Sequence, residues 1–323
     1  MSVTLPPAAG AAATPGGDPA GDNGLAPDQP GVGLWRGAFR RLRRNPTAIA
    51  GAVIILLFVL VAVFAPLLTS YQPGAAEDAG QVTPLTVPGP SEDHWLGLDR
   101  YGSDMWTQLV YGARQSLLYG VVSTAIGLTL GAGLGALAGG FGALGGRIGG
   151  WVDNAVMRFV DIMLSVPSLL LAVSIVAVLG QNAYAVMIAI GVAQVPIFAR
   201  LLRGSMLSQG KADYVLAAGA LGLRKRRIVA GHMVPNAIGP TIVQATLNLA
   251  TAIIEVAALS YLGLGESDPA VAEWGRMLVA AQERFDSAAR LALLPGFAIA
   301  ITALGFTLLG EAMREALDPR TRR

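Results

Sequence analysis

Hydrophobic positions along this chain gather in long charge-free runs, and those runs predict the elements. A bilayer core of about 30 Å needs roughly 20 apolar residues in helix. The first run of that size is 47-TAIAGAVIILLFVLVAVFAPLL-68. Residues 115–146 carry no charge and place a second span at about 116–139. Residues 162–199, 38 in all, are also uncharged; this is too long for one crossing, and 180-GQN-182 interrupts it. Two spans are expected there, at about 155–179 and 183–202, joined by a tight turn. A fifth runs from about 236 to 262 and a sixth from about 291 to 310. Six spans put both termini on the same side, so the expected fold class is an all-α polytopic membrane protein.

Composition agrees with that class. Only 14% of the 323 residues are charged and 53% are hydrophobic, whereas soluble domains carry about 25% charge. There is no cysteine, which removes disulfide frameworks and thiolate metal sites, and His94 and His232 are the only histidines. A histidine-rich metal centre is thereby excluded. A net charge of +2 is too small to argue for nucleic acid, so the distribution of charge has to carry the information. Residues 1–33 hold twenty Ala, Gly or Pro, three Asp and no Lys or Arg. Such a segment buries too little apolar surface to offset its ordering entropy and is expected to be a disordered tail. It lacks the positive n-region of a signal peptide.

Lys and Arg counts orient the spans, because cytoplasmic segments retain positive charge. With the N-terminus inside, 18 of the 23 basic residues fall in inside segments. The external loops, 69–114 and 263–290, hold the other five against eleven acidic residues. Both ends are therefore expected in the cytoplasm, and the largest cytoplasmic loop is 203–235. Before the first span, residues 34–46 repeat Trp35, Phe39 and Leu42 at helical spacing with arginines between. This suits a short helix lying in the interface, its charges toward anionic lipid; a plain positive flank with chance periodicity is the alternative. In the second span Gly127, Gly131, Gly135 and Gly139 stack on one face, which allows close backbone approach to another helix.

The largest inside loop contains 216-LAAGALGLRKRRIVAGHMVPN-236, with four consecutive basic residues at 224–227. A basic run alone reads as a topological flank. Its frame adds more: Ala217 and Ala218 are small, Gly222 suits a left-handed helix stop, and Pro235 suits the start of a following helix. The expected shape is a short helix, a glycine turn, a second short basic helix and then the fifth span. This frame resembles the cytoplasmic EAA signature of bacterial ABC-importer permeases, with Ala217, Ala218, Gly222 and Pro235 matching. Leu216 stands where a glutamate is commonest, and His232 and Val234 occupy the usual isoleucine and leucine positions.

Other stretches narrow the resemblance. Residues 95-WLGLDRYGSDMWTQLVYGARQSLL-118, 166-VPSLLLAVSIVAVLG-180, 255-EVAALSYLGLG-265 and 273-EWGRML-278 are similar to permeases of the dipeptide, oligopeptide and nickel class. The amphipathic start with its first helix looks like the OppC/DppC type, and the similarity covers about residues 34–320. The resemblance implies a type I ABC-importer permease domain over 47–323 in the bacterial cytoplasmic membrane. It implies a homologous second permease, two ATPase subunits or one fused, and an external substrate-binding protein. The loop 203–235, with Ala217, Ala218, Gly222, Arg224, Lys225 and Pro235, would be where the ATPases grip. Peptides are the expected substrate, with nickel or another small solute as the alternative within the class.

No G-x-x-x-x-G-K-[ST] loop occurs anywhere, so ATP and Mg are expected on partner subunits and no cofactor on this chain. Glu255 is the carboxylate well inside a span, where ionisable groups usually face a cavity or a partner; it is a candidate for lining the pathway, with a structural role as the other reading. Arg158 and Asp161 lie three apart on one helix face and read as a pair with each other. The Trp and Tyr residues at 95, 101, 106, 111 and 119 suit interfacial anchoring. An alternative of another class is a proton-driven secondary transporter with Glu255 or Asp161 as relay, which would run without ATP; no internal repeat of the kind such transporters carry is evident. An enzyme would need clustered His, Asp or Glu, which the chain lacks.

Overall fold

The computed structural model describes residues 34–76, 78–83, 86–268 and 270–317; the tail expected to be disordered lies outside them. Regular structure among these residues is helical, with one isolated antiparallel bridge between Leu98 and Asp104. The helices are α1 (Leu34–Leu42), α2 (Pro46–Val63), α3 (Ala65–Leu68), α4 (Met105–Leu144), α5 (Gly146–Leu164), α6 (Ser168–Leu179) and α7 (Ala183–Gln209). They continue with α8 (Asp213–Ala220), α9 (Lys225–Ile228), α10 (Val234–Ala237), α11 (Gly239–Tyr261), α12 (Trp274–Gln282) and α13 (Arg290–Leu317).

Three of the long helices, α2, α4 and α7, start where a side chain can satisfy their free N–H groups. Asn45 accepts from the Thr47 amide at 2.9 Å, with Pro46 in the first turn of α2. Asp104 accepts from the Thr107 amide at 2.8 Å and starts α4. Asn182 does the same for α7 through Ala185 at 2.9 Å. The cap at Asp104 is why α4 begins at Met105, ahead of the apolar run that marked the span. At 1.5 Å per residue its 40 residues reach about 60 Å, roughly twice the bilayer core.

The glycine stripe of α4 meets α7 of the same chain. A Cβ at Gly127 would lie 2.8 Å from the Gly191 carbonyl oxygen, one at Gly131 would lie 2.6 Å from that of Val195, and one at Gly139 would lie 2.8 Å from Cβ of Met206. These approaches are closer than real Cβ contacts, so only glycine permits them. Lipid tails are as apolar as the side chains here, so the seam is held by dispersion across closely fitted surfaces rather than by the hydrophobic effect. On the outside, α2 rests on α13, where Gly51 and Gly305 permit similar proximity. Its remaining face, with Val53, Leu56 and Leu57 exposed, is apolar and suits lipid.

Among the described residues five helices are long and apolar enough to cross a membrane, or six crossings if α5 and α6 together form one. They do not form the single straight span expected over 155–179, because the chain bends by 90° between them. The reason is Pro167, which cannot continue a helix and disfavours helical geometry at Val166. Asp161 also departs from expectation. It pairs with Arg200 of α7 at 2.8 Å rather than with Arg158, and Asp153 takes both Nε and Nη2 of Arg203 at 2.5 and 2.7 Å. Two arginines of α7 thus hold α5 across the helix pair.

Residues 69–104 fold against the start of α4. Arg290, at the head of α13, donates to the carbonyls of Pro88 at 2.5 Å, Leu96 and Leu98 at 3.3 Å and Val87 at 3.4 Å. Arg100 pairs with Glu283, just past α12, at 2.7 Å. Below this segment Met105, Leu117, Ile253, Trp274, Met277 and Phe306 join α4, α11, α12 and α13 in one buried cluster.

Gly131 and Gly133 differ in their surroundings, since a Cβ at Gly133 meets nothing within 4 Å. Gly131→Val is expected to lower stability by about 1–3 kcal/mol through overpacking, whereas Gly133→Ala leaves it unchanged or slightly raised. Thermal unfolding of both variants in mild detergent, followed by size-exclusion fluorescence, checks the contrast.

Candidate functional site

Residues 213–238 form a helical hairpin at the end of α7, with its turn built on Gly222. At φ +76° this residue is in the left-handed region, which costs an L side chain about 1–2 kcal/mol. The Leu223 amide donates to the Ala218 carbonyl at 3.1 Å and the Gly222 amide to that of Gly219 at 3.0 Å. This is the paired pattern of a Schellman stop. It reverses the chain so that α9 returns beside α8.

The hairpin is seated by one face. Val215, Ala218, Ile228, Met233 and Ala237 are buried with Leu202 and Met206 of α7, and Leu223 packs on them. Val215, Ile228 and Met233 lie beyond the apolar runs. Each fully buried Val, Ile or Met there therefore gains the ordinary hydrophobic term, about 1.5–3 kcal/mol.

The other face is open. Ala217, Gly222, Arg224, Lys225, Arg226, Arg227 and Pro235 are exposed, and so are Leu216 (62%) and Leu221 (80%). The result is a protruding knob with two leucines at its tip and four cations beside them, a mixed apolar and charged surface. The structure thus collects six of the residues singled out in the sequence, Ala217, Ala218, Gly222, Arg224, Lys225 and Pro235, on one hairpin. Ala218 faces inward and serves the packing. Leu216 and Leu221 were not singled out, and nothing in the local pattern separates an exposed leucine from a buried one.

From Lys225 onward the chain runs through α9, a π-helical turn over Val229–Met233 and α10, breaks at Ile238 ahead of Pro240, and continues as α11. Pro235 has no N–H to donate to the carbonyl four residues back, and the widened turn sits where that bond is missing. Asn236 compensates in part, donating its side-chain amide to the His232 carbonyl at 2.7 Å.

Glu255 lies apart from the hairpin. It is 20 residues beyond Pro235, or about 30 Å along the helical path. Its Oε1 accepts from the Ser168 hydroxyl at 2.8 Å. That contact joins α11 to the first residue of α6, beside the 90° bend at 165–167. Ile254 and Tyr261 are exposed on the same stretch of α11. The α11 helix ends in a second Schellman stop: Gly263 has φ +77°, and the Leu264 amide donates to the Leu259 carbonyl at 3.0 Å.

A family model described as binding-protein-dependent transport system inner membrane component matches residues 109–323. The chain belongs to this family of permeases. A second model, the N-terminal TM domain of oligopeptide transport permease C, matches residues 33–83. The permease is 43% identical over 289 residues to the dipeptide transport system permease protein DppC of Alkalihalophilus pseudofirmus, covering 90% of this chain and 91% of that one. It is 37% identical to the probable D,D-dipeptide transport system permease protein DdpC of Escherichia coli K12, over 86% of this chain and 89% of that one. With the glutathione transport system permease protein GsiD of Pectobacterium atrosepticum it shares 35% identity, over 88% and 91% of the two chains. A chain from a solved structure of the MetNI methionine ABC transporter in inward-facing conformations has the same fold, with a TM-score of 0.52 at 21% identity, over 66% of this chain and 97% of that one. The permease is thus a multi-pass bacterial inner-membrane component of an ABC transporter, not an enzyme. Its family membership implies a partner ATPase.

Gly222→Val places a β-branched residue in the left-handed region. The strain is expected to distort the knob and to reduce ATP-driven uptake by a factor of about 5–30, the equivalent of 1–2 kcal/mol. Membrane yield stays near that of the wild type. Transport assays in vesicles, normalised to the amount of inserted protein, test this.

Proposed function

We propose that the permease forms half of the translocation pathway of an ATP-driven peptide importer. A homologous second permease supplies the other half, two ATPase subunits or one fused ATPase grip the hairpin, and an external binding protein delivers the substrate. Both termini lie in the cytoplasm in this reading, in line with the excess of Lys and Arg on that side. The peptide assignment is supported by the relatives, whose names specify dipeptides, D,D-dipeptides and glutathione.

The observation that carries the reading is the seated hairpin, joined to α11 by the short α10 and the break at Ile238. ATP binding on the partner closes the ATPase dimer and displaces the knob at Leu216, Leu221 and 224–227. The burial of Ile228 and Met233 makes the hairpin move as one piece with the end of α7. Through the helical connection over Val229–Met233 the displacement enters α11 and reaches Glu255, whose hydrogen bond to Ser168 passes it to the bend between α6 and α5. Glu255, half-buried beside that bend, then acts on the pathway from that position.

Purification of the tagged permease from its native membrane in mild detergent is expected to recover a second permease and the ATPase. Once reconstituted with the binding protein, the assembly takes up labelled dipeptide only with ATP. Recovery of this chain alone, transporting without ATP, would overturn the proposal. In the same assay Glu255→Gln keeps an oxygen for Ser168 and removes only the charge. Uptake is expected to fall roughly tenfold, equivalent to about 1.4 kcal/mol, and unchanged uptake would reduce Glu255 to a tether.

A further inference from the structure

The segment 69–104 contains a histidine between two carboxylates. His94 is 6% exposed. Its Nδ1 is 3.0 Å from Oδ1 of Asp104, and its Nε2 is 3.0 Å from Oδ2 of Asp78. A neutral imidazole has one N–H and one lone pair. It could serve only one of these carboxylates and would turn its lone pair toward the other. Only the imidazolium donates to both.

Neither carboxylate is free to turn away. Asp104 uses Oδ2 to accept from the amide and hydroxyl of Thr107 at 2.8 and 2.7 Å, holding the start of α4. Asp78 uses Oδ1 to accept from the Gln81 side chain at 2.7 Å. The Tyr71 ring lies 5.2 Å from the imidazole, centroid to centroid, and the His94 amide donates to the Ser91 hydroxyl at 3.0 Å. The neighbouring charges are engaged elsewhere or face solvent. Arg290 of α13 bonds to backbone carbonyls, Arg100 pairs with Glu283 beyond α12, Asp99 accepts from the Tyr101 and Ser103 amides, and Glu92 and Asp93 are exposed. Because the two ring nitrogens point in opposite directions, the three groups do not converge on a metal ion.

We infer that His94 is a doubly protonated staple that fastens residues 78–83 and 86–94 to the head of α4, and that loss of one proton releases them. Burial by itself lowers the proton affinity of His94, but the hydrogen bonds to Asp104 and then Asp78 leave it above the ordinary histidine value. A group raised in the folded state contributes fully below its unfolded value and loses that contribution as pH rises through the folded one. The staple is therefore closed in acid and opens as the medium turns alkaline. On the orientation proposed above, the external medium sets its state; the staple itself does not depend on that orientation.

The test uses the assembled transporter in lipid nanodiscs, purified with a tag free of histidine. Nitrogen-15 NMR of the histidine-labelled permease, with signals assigned by His94→Gln and His232→Gln, is expected to show both His94 nitrogens protonated at pH 7. His232, which is exposed, serves as the internal reference. Hydrogen exchange of residues 86–104, corrected for intrinsic rates, is expected to quicken by up to about tenfold per pH unit between the ordinary histidine value and the pH at which folded His94 gives up its proton, and to level off beyond it, and His94→Gln is expected to abolish that dependence. A neutral His94 tautomer at pH 7, or the same pH dependence in His94→Gln, overturns the inference. Should His94→Gln fail to assemble, Asp78→Asn leaves one carboxylate and must lower the pH at which His94 gives up its proton; an unchanged titration overturns the staple equally.

Discussion

Four glycines of α4 bring its backbone against α7, and the rest of the bundle is arranged around that contact. In lipid there is no gain from removing apolar surface from water, so affinity between helices has to come from fit. The seam supplies that fit along its length: carbonyls of Val195 and Ala199 stand where a methyl group on α4 would otherwise be. Once α4 and α7 are joined, Arg200 and Arg203 of α7 have fixed positions from which to hold Asp161 and Asp153 of α5. The end of α7 then offers Leu202 and Met206 as a floor for the hairpin.

Two sources of cohesion therefore divide the molecule. Within the membrane it is close packing of small residues; at the hairpin it is the burial of Val215, Ile228 and Met233 away from water. The second kind tolerates a moving part better, because a seated cluster can shift as a unit while its face stays covered. Both ends of the helical stretch that leaves the hairpin are set by the same local chemistry, a leucine, a left-handed glycine and a second leucine, at 221–223 and 262–264. Its course is interrupted by the π-helical turn before Pro235 and by a break at Ile238.

What could be read in the sequence was what depends on neighbours along the chain. The apolar runs gave the long helices, Gly222 gave the turn, and the four-residue glycine period gave a packing face. The bend at 165–167 depends on Pro167, which stands in plain view, but its effect was hidden inside an uncharged run long enough to look like two simple spans. The early start of α4 had a signal as well, Asp104 placed to cap the helix, outside the apolar run that defined the span. The partners of Asp161 and His94 had none. Arg200 and Asp78 are distant in sequence from the residues they hold, and only folding chooses Arg200 over the nearer Arg158. The two leucines at the tip of the knob were equally unreadable, since exposure is decided by what the hairpin leans on.

The length of α4 gives these local features a common mechanical setting. At about 60 Å the helix behaves as a rigid strut, with Asp104 and the His94 cluster at one end and the contact of Gly139 with Met206, next to the hairpin floor, at the other. A tilt of only about 5° around either end carries the opposite end through about 5 Å, nearly one helical turn. Leverage of that kind needs no chain of altered side chains between the two faces of the membrane. A stiff rod that carries α7 with it along the glycine seam makes a small adjustment near one end a larger displacement at the other.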